Sequence, residues 1–393
     1  MSRQLAFYAF EPGAPGVPAA SATGVFVRSL ANLLASATPG IDLQVRWLRP
    51  AGRGTGRRLA RWGAAAGWMA GELVRLLGDP ADDLLFIYPK LPIMAHVGQP
   101  VMLGLAIWAY RALAMKARLR RRRILVIVED LPVEMAEGRA TAGGPPVELD
   151  VKRLRAIETV IFRAADRLIV PEGFVVPIRD RHPVDPDRIR TFRRNIYLPA
   201  EPEGAPAIDF DDGAVNFFYS GSVDAHVAAN FREILRSIRN APQTRLHVCG
   251  PGREAVEEWL HELAVPNVTH YGQVAIDVHD WLARRCDVGL ILYPTDNPYN
   301  HLTPTMKYSA YLANGLAVLS TDLRCVAENV RKDGVGQTMP IAELALELMR
   351  WATRPQLWES AKARAETEAA VVRSGVEMKS WIDELAAESG SVE

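Results

Sequence analysis

Short apolar runs alternate with longer segments of helical periodicity along most of the chain. Strands separated by helices of this length predict βαβ units, and therefore parallel sheets with helices on both faces. The predicted strands are Leu5–Phe10, Leu43–Leu48, Leu84–Tyr88, Ile124–Val128, Arg167–Pro171 and Ile189–Phe192 in the first half, then Val215–Tyr219, Arg245–Cys249, Val268–Tyr271, Val288–Leu292 and Ala317–Ser320.

The segments between these strands carry apolar residues at helical spacing. In the first half they predict helices at Gly24–Ala35, Arg57–Leu77, Gln99–Arg118 and Val151–Ala165. In the second half helices are expected between all the strands, and the tail is expected to be helical from Met339 to about Ala387. The fold class predicted is α/β.

A chain of 393 residues is too long for one ordinary domain and fits two. The stretch Pro199–Gly213 is rich in proline, glycine and acidic residues and has no periodicity, which is typical of a connector. We therefore expect a Rossmann-like lobe at residues 1–200, a linker at 201–214 and a second Rossmann-like lobe at 215–370. Residues 371–393 are expected to form a C-terminal helix that packs back on the first lobe.

The two halves carry opposite charge although the formal net charge is zero. Residues 1–200 have 29 Lys and Arg against 18 Asp and Glu, so their balance is +11; the remainder has 17 against 28, which gives −11. A basic half can face nucleic acid, acidic lipid headgroups or a phosphorylated acceptor. No interleaving of basic and aromatic residues favours nucleic acid.

Three cysteines occur, Cys249, Cys286 and Cys325, and none has the spacing of a metal or redox motif. They are expected to be reduced and buried. The N-terminus leads into a strand-like run without the apolar segment and cleavage site of a signal peptide. These features predict a cytoplasmic protein.

Glycine turns follow three consecutive strands of the second half. Gly221 and Ser222 follow the first strand, Gly250 and Gly252 follow the second, and Gln273 follows the third after a further glycine. A turn without a Cβ lets backbone amides approach a phosphate closely. Each turn alone is more typical of a tight turn in any α/β protein, but three in this order favour an anion site.

Lys307 lies between Pro304 and Thr305 on one side and the helix-to-strand glycine Gly315 on the other. A lysine in the first turn of a helix combines its charge with the helix dipole and the free amides. Such a group stabilises negative charge on a departing diphosphate. The alternative is a solvated surface lysine.

The passage from Asn300 through Val318 resembles the pattern N-x-P-T-K-x-x-x-Y-L-A-x-G-x-P-V-I of GT-B glycosyltransferases, especially the subgroup of adhesin-modifying glucosyltransferases and galactofuranosyltransferases. Val128–Leu131 and the segment Glu158–Val170 are similar to two further family motifs. The resemblance covers most of the chain, tightly over 215–340 and loosely before 120.

The resemblance implies two lobes facing each other across a cleft and transfer of a hexosyl unit from a nucleoside diphosphate sugar, with UDP as the expected nucleotide. The acceptor would be a hydroxyl of a glycan, a lipid-linked oligosaccharide or a glycoprotein in surface polysaccharide synthesis. Tyr299 and Asn300 would border the sugar, and Tyr308 would contact the donor. No metal or other cofactor is expected, because no DxD-like metal motif stands at a strand end.

The sequence departs from the family pattern at four places. Ala310 replaces a Glu that holds ribose hydroxyls in broader retaining families, so ribose recognition must come from elsewhere. Glu129 stands for the family's His, Ala317 for its proline, and Asp224 with His226 for a basic residue after the first turn. His226 can reach a phosphate or cap a surface helix.

Two groups in the first half are candidates for the site, one for binding the donor and one for accepting a proton from the acceptor. Ser21, Thr23 and Gly24 lie in a loop that opens into a helix N-terminus, which is suited to an anion or is simply a βα connection. Asp130 follows a central strand, where a carboxylate can accept a proton from an attacking hydroxyl. Glu129 is the other candidate, because successive strand residues point to opposite faces and at most one of the pair should enter the cleft. The alternative for Asp130 is an N-cap role.

The segment Val101–Met115 is almost wholly apolar and leads into a cluster of basic residues at 116–123. About twenty residues are needed to cross a bilayer, so a buried helix is favoured. The basic cluster, with the basic and apolar residues of the preceding helix, predicts peripheral attachment to the inner face of an anionic membrane.

Two other functions fit the same features. A sugar-nucleotide epimerase would bind the donor without an acceptor, and a catalytically silent sugar-nucleotide-binding subunit of a polysaccharide assembly complex would bind it without turnover. A nicotinamide dehydrogenase is disfavoured, because no GxGxxG follows a strand with an acidic residue about twenty positions on. The sequence does not fix an oligomeric state.

Overall fold

The structure is a computed structural model that describes residues 3–10, 22–37, 41–48, 71, 73–89, 100–142, 151–204, 208, 210 and 213–390. Two compact units contain these residues. Unit 1 takes the described residues of Met1–Pro12, Leu30–Phe192 and Glu377–Glu393. Unit 2 takes those of Gly13–Ser29 and Arg193–Val376.

Unit 1 is built on a six-stranded parallel sheet with the order β2-β1-β3-β4-β5-β6. This is a doubly wound order, in which ligands bind beyond the carboxyl ends of the strands where the order reverses. The strands are β1 (Arg3–Phe10), β2 (Ile41–Leu48), β3 (Asp83–Tyr88), β4 (Arg123–Val128), β5 (Arg167–Pro171) and β6 (Ile189–Phe192).

Helices connect these strands, as the hydrophobic pattern predicts. They are α1 (Ala22–Ala37), α2 (Pro100–Leu119), α3 (Pro132–Thr141), α4 (Val151–Ala164) and α5 (Val175–Arg181), and residues 73–78 are also helical. Residues 57–70 of the helix predicted at Arg57–Leu77 lie outside the described residues. Helices α3 and α5 were not expected from the sequence.

Unit 2 contains a second six-stranded parallel sheet with the order β12-β11-β10-β7-β8-β9. Read from β9, this is the 3-2-1-4-5-6 order of dinucleotide-binding folds, and its switch point lies between β7 and β10. The strands are β7 (Val215–Ser220), β8 (Thr244–Cys249), β9 (Val268–Gly272), β10 (Val288–Ile291), β11 (Ala317–Thr321) and β12 (Gly336–Met339).

Eight helices follow in the described part of the chain from residue 228 on. They are α6 (Ala228–Arg239), α7 (Arg253–Leu263), α8 (Ile276–Arg285), α9 (Met306–Ala313), α10 (Arg324–Asp333), α11 (Ile341–Thr353), α12 (Gln356–Ser374) and α13 (Val376–Gly390). The predicted helical tail is therefore divided into three helices. Pro355 precedes α12, and Gly375, at φ 59°, ends it.

The central strands are apolar because both faces of each sheet are covered by helices. In unit 2 one face of the sheet packs Phe217, Tyr219 and Leu290 against α6 and α11, and the other packs Phe218 and Ile291 against α8 and α9. All six residues of β3 are buried, and so are five of the six in β4. The predicted fold, two Rossmann-like parallel sheets, is confirmed.

The three cysteines are buried and form no disulfide, as predicted. Burial raises the pKa of the Cys249 thiol to about 12 and that of Cys286 well above its ordinary value. The thiols of Cys249 and Cys286 are therefore protonated and unreactive at neutral pH. Among the described helices, none has the length and apolar content to pass through a bilayer.

Candidate functional site

The switch point of the unit 2 sheet brings together the residues that follow β7 and β10. Ser220 ends β7 and Gly221 comes directly after it, while Tyr293 comes two residues after the end of β10. Ligands of open α/β sheets bind at such a point, where loops from neighbouring strands diverge to opposite faces. The crevice is the candidate site.

The predicted glycine turns lie side by side along this edge. The amide of Gly221 donates to the carbonyl of Cys249 at 2.8 Å, and the amide of Gly250 donates to the carbonyl of Gly272 at 2.8 Å. Gly221 has φ 134° and Gly250 φ 137°, which L side chains rarely adopt. A Cβ on Gly250 would also lie 2.6 Å from the carbonyl carbon of Gly221, so glycine lets the two turns touch.

Gly252 extends the same surface. Its φ is 102°, and a Cβ there would lie 2.5 Å from the carbonyl oxygen of Val223. The amide of Val223 donates to the carbonyl of Pro251 at 3.0 Å. The adjacent residue Ser222 is exposed, and within the described residues its amide donates no hydrogen bond, so this amide is open to an anion.

Lys307 reaches over the first glycine turn. Its ammonium donates to the hydroxyl of Tyr293 at 2.7 Å and lies 4.2 Å from the centre of the Tyr293 ring and 5.5 Å from that of Tyr219. A Cβ on Gly221 would lie 2.6 Å from the ammonium nitrogen. Gly221 therefore makes room for the lysine as well as for the turn.

The groups next to the Lys307 ammonium are electron-rich tyrosine rings and a hydroxyl, which carry no charge. In the described part of the chain no carboxylate forms an ion pair with it. Burial lowers the pKa of Lys307, but the oxygens of Tyr293 and Tyr219, and the more distant Asp224 carboxylate, outweigh burial and raise it above the ordinary lysine value. The group is therefore a cation at neutral pH, and an anion can still neutralise it.

The first turn of α9 presents this lysine. Thr305 is the N-cap, and its hydroxyl accepts from the amide of Lys307 at 3.4 Å. Its φ is 38°, a conformation that is strained for a β-branched residue and that often marks functional sites. Pro304 is buried beside it. The strained cap holds the helix N-terminus, with its partial positive charge, at the switch point.

The polar loop after β10 contains the two residues predicted to border the sugar, and both are buried. Tyr299 is 6% exposed and Asn300 is 7% exposed. The side-chain amide nitrogen of Asn300 donates to the carbonyl of Pro294 at 2.9 Å and lies 3.4 Å from Nε2 of His226. Both residues shape the loop, and Asn300 links it to the segment after the first glycine turn.

Tyr308 is not at the site, contrary to the prediction. Its side chain is fully buried, and its hydroxyl donates to Asp333 at 2.7 Å. Asp333 also pairs with Arg193 at 2.9 Å and Arg194 at 3.3 Å. Since adjacent residues of a helix point about a quarter-turn apart, Tyr308 faces the core while Lys307 faces the crevice.

The other predicted donor contacts are placed as follows. Gln273 is exposed after β9, directly beyond Gly272, which has φ 74°. Thr23 and Gly24 lie in the first turn of α1, where Gly24 is buried. Ser21 lies outside the described residues.

In unit 1, Asp130 and Glu129 follow β4, and both are half-buried. The amide of Glu129 donates to the carbonyl of Tyr88 at 2.9 Å, which extends the pairing of β3 and β4 by one residue. The N-cap position of α3 is occupied by Leu131, whose own side chain makes no capping hydrogen bond. Asp130 therefore precedes the N-cap position by one residue.

A hydrogen-bonded chain at the crevice was missed by the sequence analysis. The Oγ of Ser220 lies 2.7 Å from Nε2 of His279, and Nδ1 of His279 lies 2.9 Å from the carboxylate of Asp280. Ser220 meets the neighbouring pair His279 and Asp280 only in the fold, since 59 positions separate Ser220 from His279. A His–Asp dipeptide within a helix carries no signal of its own.

No group of three metal-ligating side chains is found within the described residues. The cations of the crevice are Lys307 and the partial charge of the α9 N-terminus.

Solved structures with the same fold include the following three. WaaG, a glycosyltransferase involved in lipopolysaccharide biosynthesis, superposes with a TM-score of 0.62 at 15% identity, over 96% of this chain and 98% of that one. Sucrose-phosphate synthase from Thermosynechococcus elongatus gives 0.67 at 14% identity, over the whole of both chains. Anabaena HepE in complex with UDP and glucose gives 0.60 at 12% identity, over 98% and 100%.

The fold is therefore that of the GT-B glycosyltransferases. At these identities the similarity establishes architecture, since one fold supports many functions. No protein-family model matches the chain, and no curated protein matches it in sequence.

Proposed function

We propose that the protein is a glycosyltransferase that moves a hexosyl unit from a nucleoside diphosphate sugar to an acceptor hydroxyl. The observation that carries this proposal is the cation of Lys307, which faces the switch point of a dinucleotide-type sheet without a carboxylate partner among the described residues. A half-buried cation of this kind is poised to bind an anion. A diphosphate has the matching charge.

The surrounding groups fit the same ligand. The open amide of Ser222 and the first turn of α9 add hydrogen-bond donors and partial positive charge on either side of the ammonium. As the bond between the sugar and the diphosphate breaks, negative charge grows on the departing diphosphate. Donors already in place stabilise this charge without reorganisation. Transfer without a metal ion is part of the proposal.

UDP is the nucleotide we favour. HepE, which shares the fold, is known in complex with UDP, with UDP and glucose, and with UDP-glucose. The motif from Asn300 to Val318 supports the subgroup of adhesin-modifying glucosyltransferases and galactofuranosyltransferases. The acceptor is proposed to be a glycan, a lipid-linked oligosaccharide or a glycoprotein, and Asp130 is the candidate base that takes the proton of its hydroxyl.

Binding of UDP and UDP-sugars tests this function. A ligand at a hundred times its dissociation constant adds about 2.7 kcal/mol of stability. We expect UDP and one UDP-sugar to raise the melting temperature, while NAD and AMP leave it unchanged. Release of UDP in the presence of an acceptor, followed by detection of the glycosylated product, then measures transfer. If no nucleoside diphosphate or nucleoside diphosphate sugar binds, the proposal is contradicted. If the sugar of the donor is isomerised when no acceptor is present, the protein is an epimerase.

Unit 1 is proposed to contact an anionic membrane from the cytoplasmic side. A groove of about 1070 Å³ lies between α2, α4 and the segment after α5, and four arginines line it: Arg111, Arg118, Arg163 and Arg188. One acidic residue, Asp185, faces them. On α2, Trp108, Met115 and Leu119 are 72%, 66% and 80% exposed and share one helix face. Exposed apolar residues among arginines are typical of helices at a lipid interface.

A vesicle-binding experiment checks this contact. Wild-type protein should sediment with vesicles that contain phosphatidylglycerol and much less with phosphatidylcholine alone, and salt should weaken binding. The double variant Arg111→Glu/Arg118→Glu should bind at least about tenfold more weakly, since each basic residue near the surface contributes about 1 kcal/mol. The same charge change at the exposed Arg239 and Arg331 of unit 2 serves as the control. Equal loss in both variants contradicts the assignment of this surface.

A further inference from the structure

A buried acid, an imidazole and a hydroxyl form one line that ends in the crevice. Asp280 is fully buried, His279 has 11% of its side chain exposed, and Ser220 is half-buried at the end of β7. Exposure thus increases from the carboxylate to the hydroxyl. The line runs from the core of unit 2 to the place where a ligand would bind.

Asp280 is fixed as an acceptor. Its Oδ1 accepts from the hydroxyl of Tyr197 at 2.6 Å and from the side-chain amide of Asn314 at 3.2 Å. Its Oδ2 accepts from the backbone amide of Ala200 at 2.8 Å. These donors stabilise a carboxylate and leave no room for its proton. The Nδ1 of His279, 2.9 Å from Oδ1, must therefore carry a hydrogen.

The tautomer of His279 then decides the state of Ser220. In the neutral ring Nε2 is an acceptor, so the Ser220 hydroxyl donates to it across 2.7 Å. If the ring gains a proton, Nε2 becomes a donor to the Ser220 oxygen, and the hydroxyl hydrogen is free to point elsewhere. The hydroxyl has two states, and the charge of His279 selects between them.

Ser220 stands beside the groups assigned to the diphosphate. It precedes Gly221, against which the Lys307 ammonium lies. Its own amide donates to the hydroxyl of Tyr311 at 3.1 Å, and that hydroxyl donates to the carbonyl of Leu290 on β10 at 2.9 Å. The backbone of Ser220 is therefore fixed across the switch point.

We propose that the Ser220 hydroxyl contacts the diphosphate of the bound donor, and that His279, held by Asp280, takes up one proton as the diphosphate binds. The inference rests on the proposed function. The proton comes from solvent and stays on Nε2, which donates to the Ser220 oxygen; the Ser220 hydroxyl turns to donate to a phosphate oxygen. Ser220 is the contacting residue, and His279 and Asp280 are positioning residues.

Several neighbouring groups bear on the charge of His279. Asp280 and Asp277 lie on its own helix, Tyr197 and Asn314 reach it through Asp280, and Tyr311 reaches it through Ser220. The Phe218 ring meets it edge-on at 5.2 Å. The Asp280 carboxylate lies on one side of the ring, the Lys307 cation lies beyond Ser220 against Gly221, and the incoming diphosphate adds negative charge on that second side.

A hydrogen-bonded Ser-His-Asp chain also occurs in serine hydrolases, but the pair of free amide donors that those enzymes need at the serine is not found among the described residues. An acyl intermediate needs two free amide donors close to the serine oxygen. The nearest following amide, that of Gly221, is already bonded to the carbonyl of Cys249 at 2.8 Å. The arrangement therefore favours a hydroxyl that contacts a ligand over a nucleophile.

Calorimetry tests the proton uptake. Binding of UDP-glucose is measured at about pH 8, where a free imidazole is neutral, in buffers that differ in their heat of ionisation. The diphosphate of UDP-glucose does not titrate in this range, so the dependence of the binding heat on the buffer reports protons taken up by the protein. We expect wild-type uptake of a substantial fraction of one proton.

Three variants separate the roles. His279→Gln can still donate to the Ser220 oxygen but cannot take up a proton; it should bind UDP-glucose without uptake. Ser220→Ala should lose about tenfold in affinity, as expected for one hydrogen bond to a charged group. Ser220→Thr, which keeps the hydroxyl, should recover most of it. His261→Gln on the exposed side of α7 is the matched control and should take up protons like the wild type.

The outcomes are distinct from those for the enzymatic assignment. Absence of UDP-glucose binding by the wild type overturns both proposals. Binding without proton uptake, or equal uptake by His279→Gln, overturns only this one. Wild-type affinity in a folded Ser220→Ala variant also overturns it, and labelling of Ser220 by a fluorophosphonate would identify it as a nucleophile instead.

Discussion

Replacing Lys307 with alanine is expected to lower the rate of sugar transfer by about 10² to 10³-fold, the usual effect of removing one preorganised stabiliser of a developing negative charge. The fold should be retained, because the ammonium is held by one hydrogen bond, to the Tyr293 hydroxyl, and by aromatic faces. We expect the free energy of unfolding to change by less than about 1 kcal/mol. Initial rates of UDP release and thermal melting measure the two quantities.

Two comparisons make this result specific. Lys332→Ala removes an exposed lysine of unit 2, at the end of α10, and should leave transfer unchanged. Lys307→Arg keeps the charge but places a larger group against Gly221, so it should recover only part of the activity. A folded Lys307→Ala protein with the wild-type rate would show that the diphosphate is not bound by this cation.

The variant Gly250→Ala is expected to lose both stability and nucleotide affinity. The new Cβ would meet the backbone of Gly221, and φ 137° is strained for any L residue. Strain of this kind costs about 1–3 kcal/mol before the overlap is relieved. Relief requires the first glycine turn to move, and that turn carries Ser220 and the Lys307 contact. We expect at least about tenfold weaker UDP binding, measured by calorimetry, and a lower melting temperature.

Gly204→Ala provides the matched control for this substitution. A Cβ at Gly204 would have nothing within 4 Å, and this glycine does not have the unusual φ of Gly250. The change should leave both the melting temperature and the affinity for UDP close to the wild-type values. Equal behaviour of the two alanine variants would mean that the contact between the turns is not needed.

Much of the fold was predictable because it depends on local patterns. Strands that are covered on both faces are apolar along their whole length, so runs such as Ile124–Val128 and Val288–Ile291 were visible in the sequence. The last strand of the second sheet, Gly336–Met339, was missed. It lies at the sheet edge, its sequence is Gly-Gln-Thr-Met, and its pairing with β11 rather than its own composition makes it a strand.

The candidate site was predictable in part for the same reason. Gly221, Gly250, Gly252 and Lys307 follow strands or open a helix, so their positions in the sequence imply a shared sheet edge. Tyr308 was predicted together with its neighbour Lys307, but helix geometry turns the two side chains in different directions, so Tyr308 faces the core. The roles predicted for these residues stay predictions until the variants are measured.

The sequence by itself determined two parallel α/β sheets, the glycines at the ends of the strands and a lysine at a helix N-terminus, since each depends on residues close together in the chain. Only the tertiary structure decided that Lys307 lies over Gly221 beside tyrosines instead of a carboxylate, and that Ser220 meets His279. The contact between Ser220 and His279 joins residues 59 positions apart, and that between Lys307 and Gly221 joins residues still farther apart. Strand order sets them, and strand order is a property of the whole packed sheet, which no local pattern encodes.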